Sequence, residues 1–242
     1  MSGAAVPDRL ERLFRKYLEP LGYGQADSRG PVDRDGGPIP WITYPAFHML
    51  QRLVRPEHRV FEFGCGHSSL WWSSKVTEVV SVDHDLAWLG TIRARAWPRQ
   101  TLIHRPIHAP PGPVPPELAA DVQALIDGQW SSGQAGFDIM HGHNCADFLG
   151  YATSLLQWPR GTFDWIVVDG MARPLTACFA AHWVRPEGIV VFDNAERVEY
   201  EAGYRALRAR GFARIDFWGA GPVNDFPWCT SLFTRSLAPF RD

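Results

Sequence analysis

The sequence predicts a doubly wound α/β fold, a mostly parallel sheet with helices on both faces. Three observations carry that expectation. From Arg59 onward, short apolar runs alternate with helix-length stretches, the rhythm of parallel strands joined by crossover helices. The run VFEFGCGHSS, Val60 to Ser69, reads as a buried strand that passes through a glycine turn, Glu62-x-Gly64-x-Gly66-x-Ser68, into a helix. A second apolar run, VVSVDHD, then closes on Asp83 and Asp85. A strand, a glycine turn and an acid on the next strand form the arrangement by which such folds hold a nucleoside. The glycines admit the backbone to the ligand and the acid takes the ribose hydroxyls.

The elements follow in order. Leu10, Leu13, Phe14 and Leu18 are spaced at helical intervals, which predicts a short leading helix over residues 8–18. A loop rich in Gly, Asp and Pro covers 22–40, and the second half of PIPWITYPAFHMLQRLV reads as another helix. Residues 1–57 are therefore expected as a helical extension ahead of the sheet. Strands are expected near 59–63, 78–83, 100–105, 163–168 and 187–193, and helices near 68–75, 85–96, 173–182 and 196–210. Residues 106–147, opening PIHAPPGPVPP with a short helix near 117–127, exceed an ordinary connection and predict a substrate-side insertion. FARIDFWG and WCTSLFTR, joined by AGPVNDFP, predict a closing antiparallel hairpin that brings the sheet to seven strands. The 242 residues read as a single domain.

Composition narrows the function. Hydrophobic residues at 45% and charged residues at 21% are ordinary for a soluble globular chain. A net charge of −2 supplies no field to recruit nucleic acid or an anionic membrane. No run reaches the ~18 apolar residues a membrane helix needs. The N-terminus is charged and amphipathic, unlike a signal peptide. Cys65, Cys145, Cys178 and Cys229 lie far apart, so neither a disulfide framework nor a zinc knuckle is expected and a reducing cytoplasm is the simplest setting. A homo-oligomer is left open.

A dinucleotide turn of the NAD type carries a third glycine where Ser69 stands here. With Glu62 inside the strand, Glu62-x-Gly64-x-Gly66 instead resembles the opening motif of class I S-adenosylmethionine-dependent methyltransferases. That resemblance implies their Rossmann-like fold and S-adenosyl-L-methionine as cofactor. It places the backbone of Gly64 to Gly66 against the methionine part. Ser68 or Ser69 then caps the helix, whose positive end can receive the cofactor carboxylate, and Asp83 binds the ribose. Asp85 is expected to cap the next helix. His67 and His84 flank the cleft, and His67 is carried as a candidate catalytic group.

Two later strands end in Asp169 and in Asp193-Asn194. Two carboxylates and an amide oxygen make a hard oxygen set suited to Mg²⁺. The trio resembles the metal ligands of the catechol O-methyltransferase-like enzymes, where a metal would orient a substrate hydroxyl and lower its pKa. Asp169 is thus a candidate catalytic residue as well as a ligand. The chain departs from that family at Arg173, where a lysine base is expected; arginine stays protonated and is a poor base. Arg173 is expected to bind a substrate carboxylate or phosphate, or to serve structure. Against the metal stands the reading of Asp169 as a helix cap and of Asp193-Asn194 as a turn.

The segments PIPWITYPA, VFEFGCGHSSLWW, VVSVDHDLAW, FDWIVVDGMAR, GIVVFDNAERVEY and IDFWGAGPVNDFPWCTSLF resemble a set of bacterial methyltransferase-like proteins. The implied activity is O-methylation of a small-molecule or glycan hydroxyl. The rivals are a non-catalytic nucleoside-binding protein that keeps the fold and an NAD-dependent oxidoreductase, the latter disfavoured by Ser69. Trp41 and Tyr44 pack over the cofactor or belong to the core. His141 and His143, in MHGHNC, are expected on a surface loop rather than at a metal.

Overall fold

In the computed structural model, residues 6–26, 30–96, 98–128, 137–138 and 143–241 are described. Its strands are β1 (Arg59–Phe63), β2 (Glu78–Asp83), β3 (Gln100–His104), β4 (Phe137–Asp138), β5 (His143–Asn144), β6 (Phe163–Val168), β7 (Val184–Asp193), β8 (Ala213–Gly219) and β9 (Trp228–Thr234). The helices are α1 (Val6–Leu13), α2 (Tyr44–Leu53), α3 (His67–Lys75), α4 (Leu86–Arg93), α5 (Pro116–Ile126), α6 (Leu149–Ala152), α7 (Arg173–Trp183) and α8 (Glu201–Ala209). Seven strands form one sheet in the order β3-β2-β1-β6-β7-β9-β8, while β4 and β5 pair apart from it. β1 runs parallel to both β2 and β6, and β9 lies antiparallel between β7 and β8. This is the expected α/β sheet, mostly parallel with a C-terminal antiparallel hairpin.

Period-two alternation divides the strands between two cores. Phe61, Phe63, Ile166, Val168 and Phe192 face one apolar cluster with residues of α5, α7 and α8. Val60, Trp165, Val167 and Val191 face the other, with Phe47 and Leu50 of α2 and Trp71 and Trp72 of α3. Every residue of β6 is buried because both faces of the sheet are covered.

Three expectations are corrected. The leading α-helix ends at Leu13, and Phe14–Leu18 and Glu19–Leu21 continue as π and 3₁₀ turns. Leu10 stays 60% exposed and Leu13 53%, while Leu18 packs against the cluster that holds α2 and α3. The described part of the 106–147 segment is not all insertion. Leu118, Val122 and Leu125 of α5 are buried beneath the sheet with Phe148, which makes α5 a crossover helix between β3 and β6. His143 begins the short strand β5 rather than lying in a loop, and His141 falls outside the described residues.

The fork between β1 and β6 is the switch point of the sheet, where the chain has built β2 and β3 on one side and crosses to the other. There two backbones touch. Gly64 has φ +95, and a Cβ on it would lie 3.0 Å from both N and Cα of Gly170. A Cβ on Gly170 would lie 2.1 Å from the Tyr151 hydroxyl. Gly66 is different: its φ of 176 is extended, and its Cβ would meet nothing closer than 3.9 Å. Gly64→Ala is expected to destabilise the fold by about 2 kcal/mol or more. Gly66→Ala is expected to stay within about 1 kcal/mol of wild type. Urea denaturation of the two variants checks the contrast.

Candidate functional site

A cavity of about 480 Å³ opens at the carboxyl ends of β1, β6 and β7, within the ~300–1,000 Å³ of small-molecule sites. Its floor is the turn Cys65–Ser68 after β1, and Trp88 of α4 stands beside it. Asp169 and Arg173 enter after β6, and Asp193, Asn194 and Arg197 after β7. Trp41 from the N-terminal extension and Asn224 from the β8–β9 loop close it, joined by a 3.3 Å bond from the indole Nε1 to Asn224 Oδ1.

Side chains clamp the glycine turn from behind. Glu62 is fully buried, and its Oε2 accepts from Ser81 Oγ at 2.9 Å and from Ser69 Oγ. Ser69 Oγ in turn accepts from the Gly66 N–H at 3.0 Å, so Ser69 rather than Ser68 ties the start of α3, while Ser68 lines the cleft. Asp83 Oδ2 accepts the Cys65 N–H and Oδ1 the Asp85 N–H, both at 2.9 Å. The Trp88 indole donates to Cys65 O at 2.7 Å. Asp85 caps α4, accepting from the N–H groups of Ala87 and Trp88. Gly64, Gly66, Ser68 and Asp83 thus meet at one place, with Glu62 and Asp83 supporting the turn from beneath.

The two supporting acids differ electrostatically. Burial raises Glu62 from 4.5 to about 7, against the hydroxyls of Ser68, Ser69 and Ser81. Its Oε1 has no hydrogen-bond partner among the described residues. Burial also pushes Asp83 upward, but bonds from His84 and from the N–H groups of Asp85 and Cys65 outweigh it and hold the carboxyl low.

His67 does not offer a free base. It is buried, with Nδ1 against Pro31 O and Nε2 2.7 Å from Arg95 Nη1. Arginine only donates, so Nε2 accepts and Nδ1 carries the proton given to Pro31. The ring fastens the N-terminal extension to the first residue of α3, which corrects the catalytic expectation.

On the other side of the fork stands Arg173. Its Nε donates to Gly170 O at 3.1 Å. Nη1 donates to Asp193 O at 2.5 Å and Asn194 Oδ1 at 2.9 Å, and Nη2 to Asp169 O and Oδ1, both at 3.1 Å. The guanidinium also lies 5.5 Å from the centre of the Tyr200 ring. Asp193 Oδ1 faces elsewhere, accepting from Trp228 Nε1 at 3.0 Å and Thr230 Oγ1 at 2.5 Å. Burial, and for Asp169 also the neighbouring Asp193, raises both carboxyls, with Arg173 opposing. The Mg²⁺ expectation is not supported: Arg173 holds Asp169 Oδ1 and Asn194 Oδ1, so a guanidinium stands where the ion was expected. Among the described residues, no group of three or more His, Cys, Asp or Glu is placed to hold a metal. The anion-binding expectation for Arg173 also falls, because its N–H donors are spent on the protein.

Trp88, Arg197 and Asn224 line the cavity without having been singled out, and so does Trp228, which the sequence assigns to the closing hairpin. Trp88 had a local signal, three residues after a helix cap. Trp228 and Asn224 had none, since the hairpin that carries them reaches the cleft only through the pairing of β9 with β7.

No protein-family model matches the sequence, and no curated relative is found. Solved structures are similar. A spermidine synthase in complex with the transition-state analogue AdoDATO superposes with a TM-score of 0.50 at 10% identity, over 87% of this chain and 63% of that one. The spermidine synthase of Thermotoga maritima gives 0.47 at 10%, over 79% and 57%. An rRNA methylase from Streptococcus thermophilus gives 0.49 at 10%, over 81% and 99%. The chain spans less than two thirds of the two synthases. At such identities the likeness concerns the fold alone, a doubly wound, Rossmann-like α/β sheet.

Glu62 gives the site a pH signature. Between about pH 4.5 and 7 its folded carboxyl keeps a proton that the unfolded chain has lost. Stability therefore falls as pH rises through that window, by about 3 kcal/mol, and levels off above it. Glu62→Gln is expected to remove this component of the slope, as urea denaturation across the same pH range would report.

Proposed function

We propose that this chain is an S-adenosylmethionine-dependent methyltransferase that modifies a hydroxyl of a small molecule or glycan, in the cytoplasm. The observation that carries the reading is the cleft at the switch point, with a clamped glycine turn on one side and the carboxyl of Asp169 on the other. No described helix is long and apolar enough to cross a membrane.

The open face at Gly66 supports backbone approach by a ligand, since no atom lies within 3.9 Å of its Cβ position. Cys65, Gly66 and Ser68 would hold the cofactor with the positive end of α3 and the Trp88 ring. Asp83 Oδ2 accepts one bond, from Cys65, and a carboxylate oxygen has capacity for a second, which suits a ribose hydroxyl. Bound there, the cofactor supplies a methyl group made electrophilic by a sulfonium.

The chain's own part is positioning and proton transfer. Asp169 lines the cleft, and its Oδ2 has no hydrogen-bond partner among the described residues while Oδ1 is tied to Arg173. That oxygen would take the proton of an acceptor hydroxyl, while the bound cofactor would supply the methyl group. Trp41 and Trp228 wall the cleft and limit water, and holding both reactants in line accounts for most of the rate.

Calorimetry with S-adenosylmethionine and S-adenosylhomocysteine tests the reading. Saturable binding is expected, weakened about tenfold or more in Trp88→Ala; heats no different from dilution would overturn it. Against a panel of hydroxylated acceptors, Asp169→Asn is expected to lower kcat about 10²–10⁴-fold while S-adenosylhomocysteine still binds.

A further inference from the structure

Arg173 stands at the place where strand-end oxygens of this kind would converge on a divalent ion. We propose that Arg173 is the resident cation of the site, an internal replacement for a metal, so that the Asp169–Asn194 cluster is built to work with no divalent ion. The proposal concerns this cluster alone; its bearing on acceptor chemistry rests on the methyltransferase reading above.

The geometry points to this in three ways. The guanidinium has five N–H donors, and the five bonds it makes engage Gly170 O, Asp193 O, Asn194 Oδ1, Asp169 O and Asp169 Oδ1. Asp169 Oδ1 and Asn194 Oδ1 are thereby engaged, and an ion drawn to them and to the free Asp169 Oδ2 would have to displace a delocalised charge. Second, the backbone is shaped around the clamp. Ala172, which precedes Arg173, has φ +47, and Asn194, which receives it, has φ +53. Non-glycine residues are uncommon in that region and are held there by their surroundings. Third, the side chain is anchored beyond its charge, over the Tyr200 ring and at the first residue of α7 ahead of Pro174. Two carboxylates drawn together out of water need a counter-charge, and this cluster carries its own.

The consequence for the acceptor is direct. Its oxygen is received by a hydrogen bond at Asp169 Oδ2 and is not ligated, so Arg173 acts as a positioning residue that holds Asp169 in place.

Mn²⁺ electron paramagnetic resonance and thermal unfolding of the full chain test the proposal without cofactor or turnover. Wild type is expected to leave the free Mn²⁺ signal unchanged and to melt at the same temperature with or without the ion. Arg173→Ala is expected to melt lower, to take up Mn²⁺ about tenfold or more tightly than wild type, and to regain part of its lost melting temperature when the ion is added. Asp169→Asn added to Arg173→Ala is expected to abolish that uptake. Mn²⁺ bound by wild type and lost in Asp169→Asn would overturn the proposal, as would an Arg173→Ala protein that folds and ignores the ion. If Arg173→Ala does not fold, Arg173→Lys serves: its ammonium keeps the charge, so no Mn²⁺ response is expected, and uptake by it would count against the proposal. Absence of S-adenosylhomocysteine binding would remove the methyltransferase reading and leave the Mn²⁺ result standing.

Discussion

The contact between the backbones of Gly64 and Gly170 at the fork of β1 and β6 is the constraint on which the cleft depends. The ladder continues past the last strand residues, with the Gly64 N–H on Val82 O at 2.9 Å and the Asp169 N–H on Phe63 O at 3.1 Å. No side chain can stand between two strands at that spacing, so the turn after β1 and the acid after β6 emerge side by side. The glycine turn and the Asp169 carboxyl then border one cavity because the sheet brings them there.

Around that point the chain distributes charge unevenly. Glu62 and Asp83 both support the turn, yet burial keeps one proton-bearing near neutrality while N–H donors hold the other ionised. Such divergence of neighbouring carboxyls is a feature of reactive sites. Across the fork, Arg173 balances Asp169 and Asp193, and the cost of drawing these charges out of water is offset by the hydrogen bonds of the guanidinium and of Asp193 Oδ1.

The cover of the cleft comes from the two ends of the chain. Trp41 and Asn224 are 183 residues apart and hydrogen-bonded; Tyr23 donates to Asn224 O, and the Tyr44 N–H to Ala220 O at 2.8 Å. Pro31, held by His67, completes the seam. The N-terminal extension is therefore part of the cavity wall as well as of the core that α2 fills.

By itself the sequence determined whatever is local. β1, β2 and β6 fall where their apolar runs place them, because burial on both faces of a parallel sheet leaves an unbroken hydrophobic signal. The turn at Gly64 and the cap at Asp85 were legible for the same reason, since each needs only its neighbours. The leading helix gives way to π and 3₁₀ turns after Leu13, where Leu10 and Leu13 stay in solvent and Leu18 reaches the core. The partners of side chains were decided only by tertiary structure. Asp169, Asp193 and Asn194 read as a metal trio, and Arg173 was in view four residues after the first of them. Nothing local says that its guanidinium reaches Asn194, 21 residues on, because that meeting is created by the pairing of β6 with β7. A chain can announce where its charges lie along a strand, but which opposite charge fills the space between them depends on the order in which the strands are laid side by side.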